Sequence, residues 1–94
     1  MKTVWSRRAI RNLESLRDYI EQSSEQNAAA TAMRILHAVD LLENHPAIGR
    51  PGRVMGTREL VIPDTPYIVV YRVKRERLEL TAVLHGHQRW PRRF

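Results

Sequence analysis

The chain has 94 residues, with 16 lysines and arginines against 10 aspartates and glutamates, no cysteine, and a formal charge of +6 at pH 7. That length holds one small domain, residues 1–94, with little buried surface to spare, so an apolar groove left open calls for a partner. The lack of cysteine excludes a disulfide framework, a thiolate zinc site and a cysteine nucleophile. No stretch approaches the roughly 20 apolar residues that span a bilayer, and Met1-Lys2-Thr3-Val4-Trp5-Ser6 has no signal-peptide core, so a cytoplasmic protein without membrane contact is expected. All 16 basic residues except Lys2 and Lys74 are arginines, whose forked guanidinium suits phosphate, carboxylate and aromatic faces. A polyanion, an acidic protein, or simply a solvated surface would fit that usage.

Thr3-Val4-Trp5 predicts a short edge strand, and Ser6 is placed to cap the helix after it. From Arg7 the apolar residues Ala9, Leu13, Leu16 and Ile20 step by four, three and four, with Ile10 and Tyr19 widening the stripe. Ser23 followed by Gln26 reads as a capping box opening a second helix, which carries Ala28, Ala32, Ile35, Val39 and Leu42 and stops where His45 precedes Pro46. Leu36 and Leu41 lie off that stripe, which points to a partner against the helical hairpin.

Pro46 to Thr57 is rich in glycine and proline and has arginines nearby. It lacks the Gly-Lys-Ser or Gly-Lys-Thr ending and following helix of a phosphate loop, and reads as a turn back to a sheet. Strands are predicted over Arg58–Ile62, Tyr67–Val73 and Leu78–His85, joined by links short enough for hairpins. Tyr67-Ile68-Val69-Val70-Tyr71 is apolar throughout, so both faces need cover; the hairpin supplies one, and the tail or a partner the other. In the last strand Leu78, Leu80, Ala82 and Leu84 should share the core face, with Glu79, Thr81, His85 and His87 opposite. The expected class is α+β: a short N-terminal strand, an α-helical hairpin, then a three-stranded antiparallel meander. The ending Arg89-Trp90-Pro91-Arg92-Arg93-Phe94 has the tryptophan and arginines typical of interface anchors, although Trp90 could equally cap the core.

That element order, with Gly49-Arg50-Pro51-Gly52-Arg53-Val54, Gly56-Thr57-Arg58-Glu59-Leu60, the Pro66–Val73 stretch and Val83-Leu84-His85-Gly86-His87-Gln88-Arg89-Trp90-Pro91, resembles the RelE/ParE superfamily of type II toxins over essentially the whole chain. The resemblance implies the RelE/ParE-like fold and a cognate antitoxin in a hetero-oligomeric complex; no cofactor is expected, nor a metal, since His85 and His87 have no third ligand nearby. It also implies one of two activities: RelE-like members cut mRNA on the ribosome, whereas ParE-like members poison DNA gyrase by binding it. As the motifs align, RelE-like nucleases place arginines at positions held here by Ile68 and Gln88, a tyrosine at Phe94, and lysines near Glu59 and Val61. An isoleucine cannot stabilise phosphate charge and a phenylalanine has no proton to exchange.

The closer likeness is to ParE, so the expected protein is a gyrase inhibitor with target contacts at His85, His87, Arg89, Trp90, Arg92, Arg93 and Phe94. Its antitoxin would lie on Leu13, Leu16, Ile20, Ala32, Ile35, Leu36 and Val39. One alternative is an mRNA endoribonuclease using His87 with Arg72 or Arg89, imidazole being suited to proton transfer near neutral pH. The other is an inactive relic that serves only in a repressor complex with the antitoxin.

Overall fold

The computed structural model describes residues 1–94. In chain order it contains β1 (Lys2–Trp5), α1 (Arg7–Glu21), α2 (Glu25–Asn44), β2 (Arg50–Pro51), β3 (Arg58–Val61), β4 (Tyr67–Lys74) and β5 (Arg77–His85). The expected α+β architecture is present, but the strands form a single five-stranded sheet in the order β1-β5-β4-β3-β2. β1 runs parallel to β5 and every other pairing is antiparallel. The additional strand, β2, is two residues long and lies in the stretch expected to be turn alone, where proline and glycine mask any strand pattern.

Each helix begins at a serine whose hydroxyl accepts an amide three residues on: Ser6 from Ala9 and Ser24 from Asn27. The second cap was expected one residue earlier, at Ser23. The amides of Ser23 and Ser24 both donate to the Ile20 carbonyl, at 3.0 and 2.9 Å, closing the end of α1, and Ser24 is the residue whose backbone is extended as a cap requires.

Both faces of the sheet are covered, as the apolar run in β4 requires. The hairpin packs on one face over Tyr67, Val69 and Tyr71, joined by Leu16, Ile35, Val39 and Leu42 from the helices. On the other, Ile68 and Val70 of β4 meet Ala82 and Leu84 of β5 beneath Trp90 and Phe94 of the tail.

The last strand departs from its expected alternation. Val70 pairs with Ala82 but Tyr71 pairs with Leu80, so Thr81 is an extra residue and the strand changes phase there. Leu78 and Leu80 therefore enter the helix-side core, whereas Ala82 and Leu84 face the tail. The bulge is tied to the start of α1: Ser6 donates its amide to the Leu80 carbonyl at 3.0 Å and its hydroxyl to the Thr81 carbonyl at 2.9 Å. Thr81 returns its own hydroxyl to the Val70 carbonyl. Beyond the bulge the Val83 amide donates to Asn12 Oδ1, so α1 closes the edge of β5 where β1 ends.

Candidate target-binding site

After β5 the chain turns at His85 and doubles back over the sheet. The His85 carbonyl accepts the Gln88 amide at 3.1 Å and Trp90 Nε1 at 3.2 Å. Its amide donates to Gln88 Oε1 at 2.7 Å, and its Nδ1 accepts the His87 amide at 3.0 Å. Four hydrogen bonds on one residue thus set the direction of the tail. His85 is the last residue of β5 and His87 lies beyond it, so their expected shared strand face is replaced by a turn that places the rings 5.5 Å apart.

The tail aromatics are each held between the sheet and an arginine. The Arg53 guanidinium carbon lies 3.9 Å from the centre of the Trp90 ring, and that of Arg8 lies 5.1 Å from the centre of Phe94. Arg53 is itself positioned by Glu59, a carboxylate whose side chain is only 1% exposed. Glu59 Oε2 accepts the Arg53 amide at 2.6 Å, and Oε1 accepts Arg50 Nε and Nη2 at 3.2 and 3.1 Å. A buried acid therefore connects the Gly49–Arg53 loop to the tail, a link between chain segments too distant for sequence spacing to reveal.

The loop itself is closed. Tyr71 is fully buried, donates its hydroxyl to the Pro46 carbonyl at 2.6 Å and accepts the Gly49 amide at 2.9 Å. Burial raises the Tyr71 pKa, opposed by the Gly49 amide and by the nearby charge of Arg58. A side chain at Gly49 would collide with the Tyr71 ring, its Cβ falling 2.7 Å from Cε1. The Gly52 amide is engaged by the Thr57 carbonyl and the Thr57 amide by that of Val54, so this loop offers no cradle of free amides to a phosphate.

The positions that correspond to the RelE-like nuclease residues are engaged in packing and backbone contacts. Ile68 is buried under the tail, Gln88 holds the His85 amide, and Phe94 packs on the sheet. Arg72 donates to Glu79 at 2.8 Å and, chiefly through that bond, keeps the Glu79 carboxyl below its ordinary pKa. Arg72 also lies five residues along β4 from Tyr67, the partner of His85, which is about 17 Å at roughly 3.3 Å per residue. Arg72 is committed to Glu79, and no hydrogen bond or ion pair joins it to His87 or Arg89, the other members of the fallback grouping. No cluster of three or more potential metal ligands forms anywhere in the chain.

The residues expected to meet a target divide between two surfaces. Because the bulge shifts the strand phase, His85 turns to the helix side, its ring edge-on to Tyr67 at 5.7 Å. There it lines a cavity of 430 Å³ with Asn12, Tyr19 and Tyr67. Burial, followed by the proximity of Tyr19, raises the Tyr67 pKa. Trp90 and Phe94 are half-buried on the opposite face, while His87, Arg89, Arg92 and Arg93 are exposed.

Among the residues expected to meet an antitoxin, Leu16, Ile35 and Val39 are buried core residues, whereas Leu13 and Ile20 pack against that core and stay partly exposed. Ala32 is half-buried and Leu36 is 40% exposed. A further stretch of open apolar surface lies farther round α2. There Leu41 and Ala38 face Leu60, Val61 and Ile62 across a groove of 310 Å³. β2 pairs only with Arg58 and Glu59, leaving Leu60 and Val61 on an unpaired strand edge beside that groove.

Residues 3–90 match the family model described as the ParE toxin of the type II toxin-antitoxin system parDE. Y4kP of Sinorhizobium fredii is 48% identical over 87 residues, covering 93% of this chain and 90% of its own. Toxin RelE2 of Caulobacter vibrioides is 34% identical over 85 residues, covering 90% of this chain and 94% of its own. A chain from the chromosomal ParDE system of P. aeruginosa superposes with a TM-score of 0.80 at 25% identity, over 90% of this chain and 95% of that one.

Proposed function

The chain belongs to the ParE family of type II toxin-antitoxin toxins, and from that premise we propose that it inhibits DNA gyrase by direct contact and is neutralised by a cognate antitoxin. The observation that carries this reading is the state of the nuclease positions. A buried Ile68, a Gln88 engaged with backbone and a packed Phe94 supply neither the cation nor the proton donor that RNA cleavage needs. A target contact needs only a presented surface, and the tail presents Arg89, Arg92 and Arg93. Purified toxin added to gyrase and relaxed plasmid should block supercoiling. Uninhibited gyrase together with cut mRNA in a translating extract would reverse the assignment.

The antitoxin segment fits the open groove between α2 and β3 better than the helix stripe expected from periodicity. Leu41 is 48% exposed and Val61 44%, and the free β3 edge can accept an added strand. Replacing Leu41 with Asp should weaken antitoxin binding, with growth arrest retained when the toxin is expressed alone.

A further inference from the structure

The tail and α1 enclose a second groove, of 480 Å³, lined by Arg8, Arg11, Asn12, Gln88, Arg89 and Trp90 among others, with no carboxylate in its lining. None of the four ion pairs in the molecule involves these arginines: they join Arg34 to Asp64, Arg50 to Glu59, and Arg72 and Arg77 to Glu79. Arg92 and Arg93, also outside those pairs, continue the basic surface along the tail. α1 adds to the imbalance. Its first turn contains no acidic residue and begins with Arg7 and Arg8, although the positive end of a helix favours carboxylates. Arginines gathered there repel the helix end and one another, and a bound polyanion relieves both.

We infer that this groove binds the phosphate backbone of duplex DNA. The choice of DNA rests on the gyrase reading, since gyrase holds duplex DNA where a bound toxin could touch both. A feature of the tail points the same way. Trp90 and Phe94 each have one side on the sheet and an arginine over the other, so neither ring offers a stacking platform to an unpaired base. What remains exposed is guanidinium, which reads backbone charge without reading sequence. Arg72, the remaining arginine near Phe94, is held by Glu79 and lies outside the contact.

The test uses the purified full chain and a fluorescent short duplex, with anisotropy read across a salt series and no gyrase present. Each phosphate neutralised contributes about 0.9 to the slope of log affinity against log salt. The triple variant R8Q/R11Q/R89Q should therefore flatten the slope by about 2 to 3, whereas Arg75→Gln in the β4–β5 turn should leave it unchanged. The double variant R11Q/R89Q leaves the Arg8 contact with Phe94 intact and should flatten the slope by about 2. An unaltered slope in both variants, tighter binding of single-stranded RNA, or competition by polyglutamate as effective as that by unlabelled duplex would each overturn the inference. Failure to bind duplex by a protein that still inhibits gyrase overturns this inference alone. Duplex binding with the expected slope by a protein that leaves gyrase untouched overturns the target assignment and leaves the surface standing.

Discussion

Replacing Trp90 with Ala separates a tail that packs from a tail that merely projects. Trp90 is half-buried over Ile68, Val70, Ala82 and Leu84, lies under Arg53 at 3.9 Å, and donates Nε1 to the His85 carbonyl at 3.2 Å. Truncating a fully buried tryptophan to alanine costs about 3–5 kcal/mol, so a half-buried ring accounts for about 2. The arginine stack adds about 0.5–1 kcal/mol and the indole hydrogen bond about 1. Some relaxation of the tail offsets these terms, so the expected loss is about 3 kcal/mol, a large share of the roughly 5–15 kcal/mol that holds a small domain. Urea unfolding followed by far-ultraviolet circular dichroism measures it without depending on the indole that is removed. Trp90→Phe keeps most of the packing and should lose only about 1 kcal/mol. A loss under about 1 kcal/mol for Trp90→Ala, within the range of ordinary surface changes, would refute the packed tail.

Tyr71→Phe removes both the bond to the Pro46 carbonyl and the acceptor for the buried Gly49 amide, so it should cost about 2–4 kcal/mol in the same urea experiment. A double-mutant cycle of Arg53→Ala with Trp90→Phe isolates how the cation's preference for indole over phenyl contributes, and should give a coupling below about 1 kcal/mol. Arg72 holds the folded-state pKa of Glu79 below the ordinary 4.5. The stability from this group is therefore fully present above pH 4.5 and is lost as pH falls through the folded value; Arg72→Gln should flatten that acid limb in unfolding measured from pH 6 downward. His87→Ala should leave growth arrest nearly unchanged, because its ring is exposed and only its backbone amide is engaged. A loss on the order of 10²-fold or more would instead mark His87 as a general acid or base.

The helices were legible because a period of 3.6 residues and short-range caps are local properties, and Ser6 performs the role its position implies. The phase of the last strand was not. Thr81 looks like any outward residue in an alternating run, and only the uninterrupted Ala82-Val83-Leu84 stretch hints that both faces beyond it are covered. That single inserted residue moves His85 to the helix side and divides a site that appears continuous along the chain. Arg8, Arg53 and Glu59 were equally hidden, since each acts on the tail across the sheet. A glutamate at a buried strand position beside an arginine-rich loop was the one available sign of the clamp.

The two residue types of the tail do different work, and this alters how a truncation should be interpreted. Trp90 and Phe94 turn inward while Arg89, Arg92 and Arg93 stay in solvent, so the aromatics position the tail and the arginines are what it presents. Removing Trp90 to Phe94 deletes both at once and exposes Ile68, Val70, Ala82 and Leu84. Loss of growth arrest in that deletion would then follow from unfolding or aggregation as readily as from a lost target contact. Charge removal alone resolves the two. The R92Q/R93Q variant should retain the parental unfolding midpoint and antitoxin affinity but lose most of its gyrase inhibition. Full inhibition by that variant would move the target contact away from the tail arginines, leaving the strap with a purely structural role.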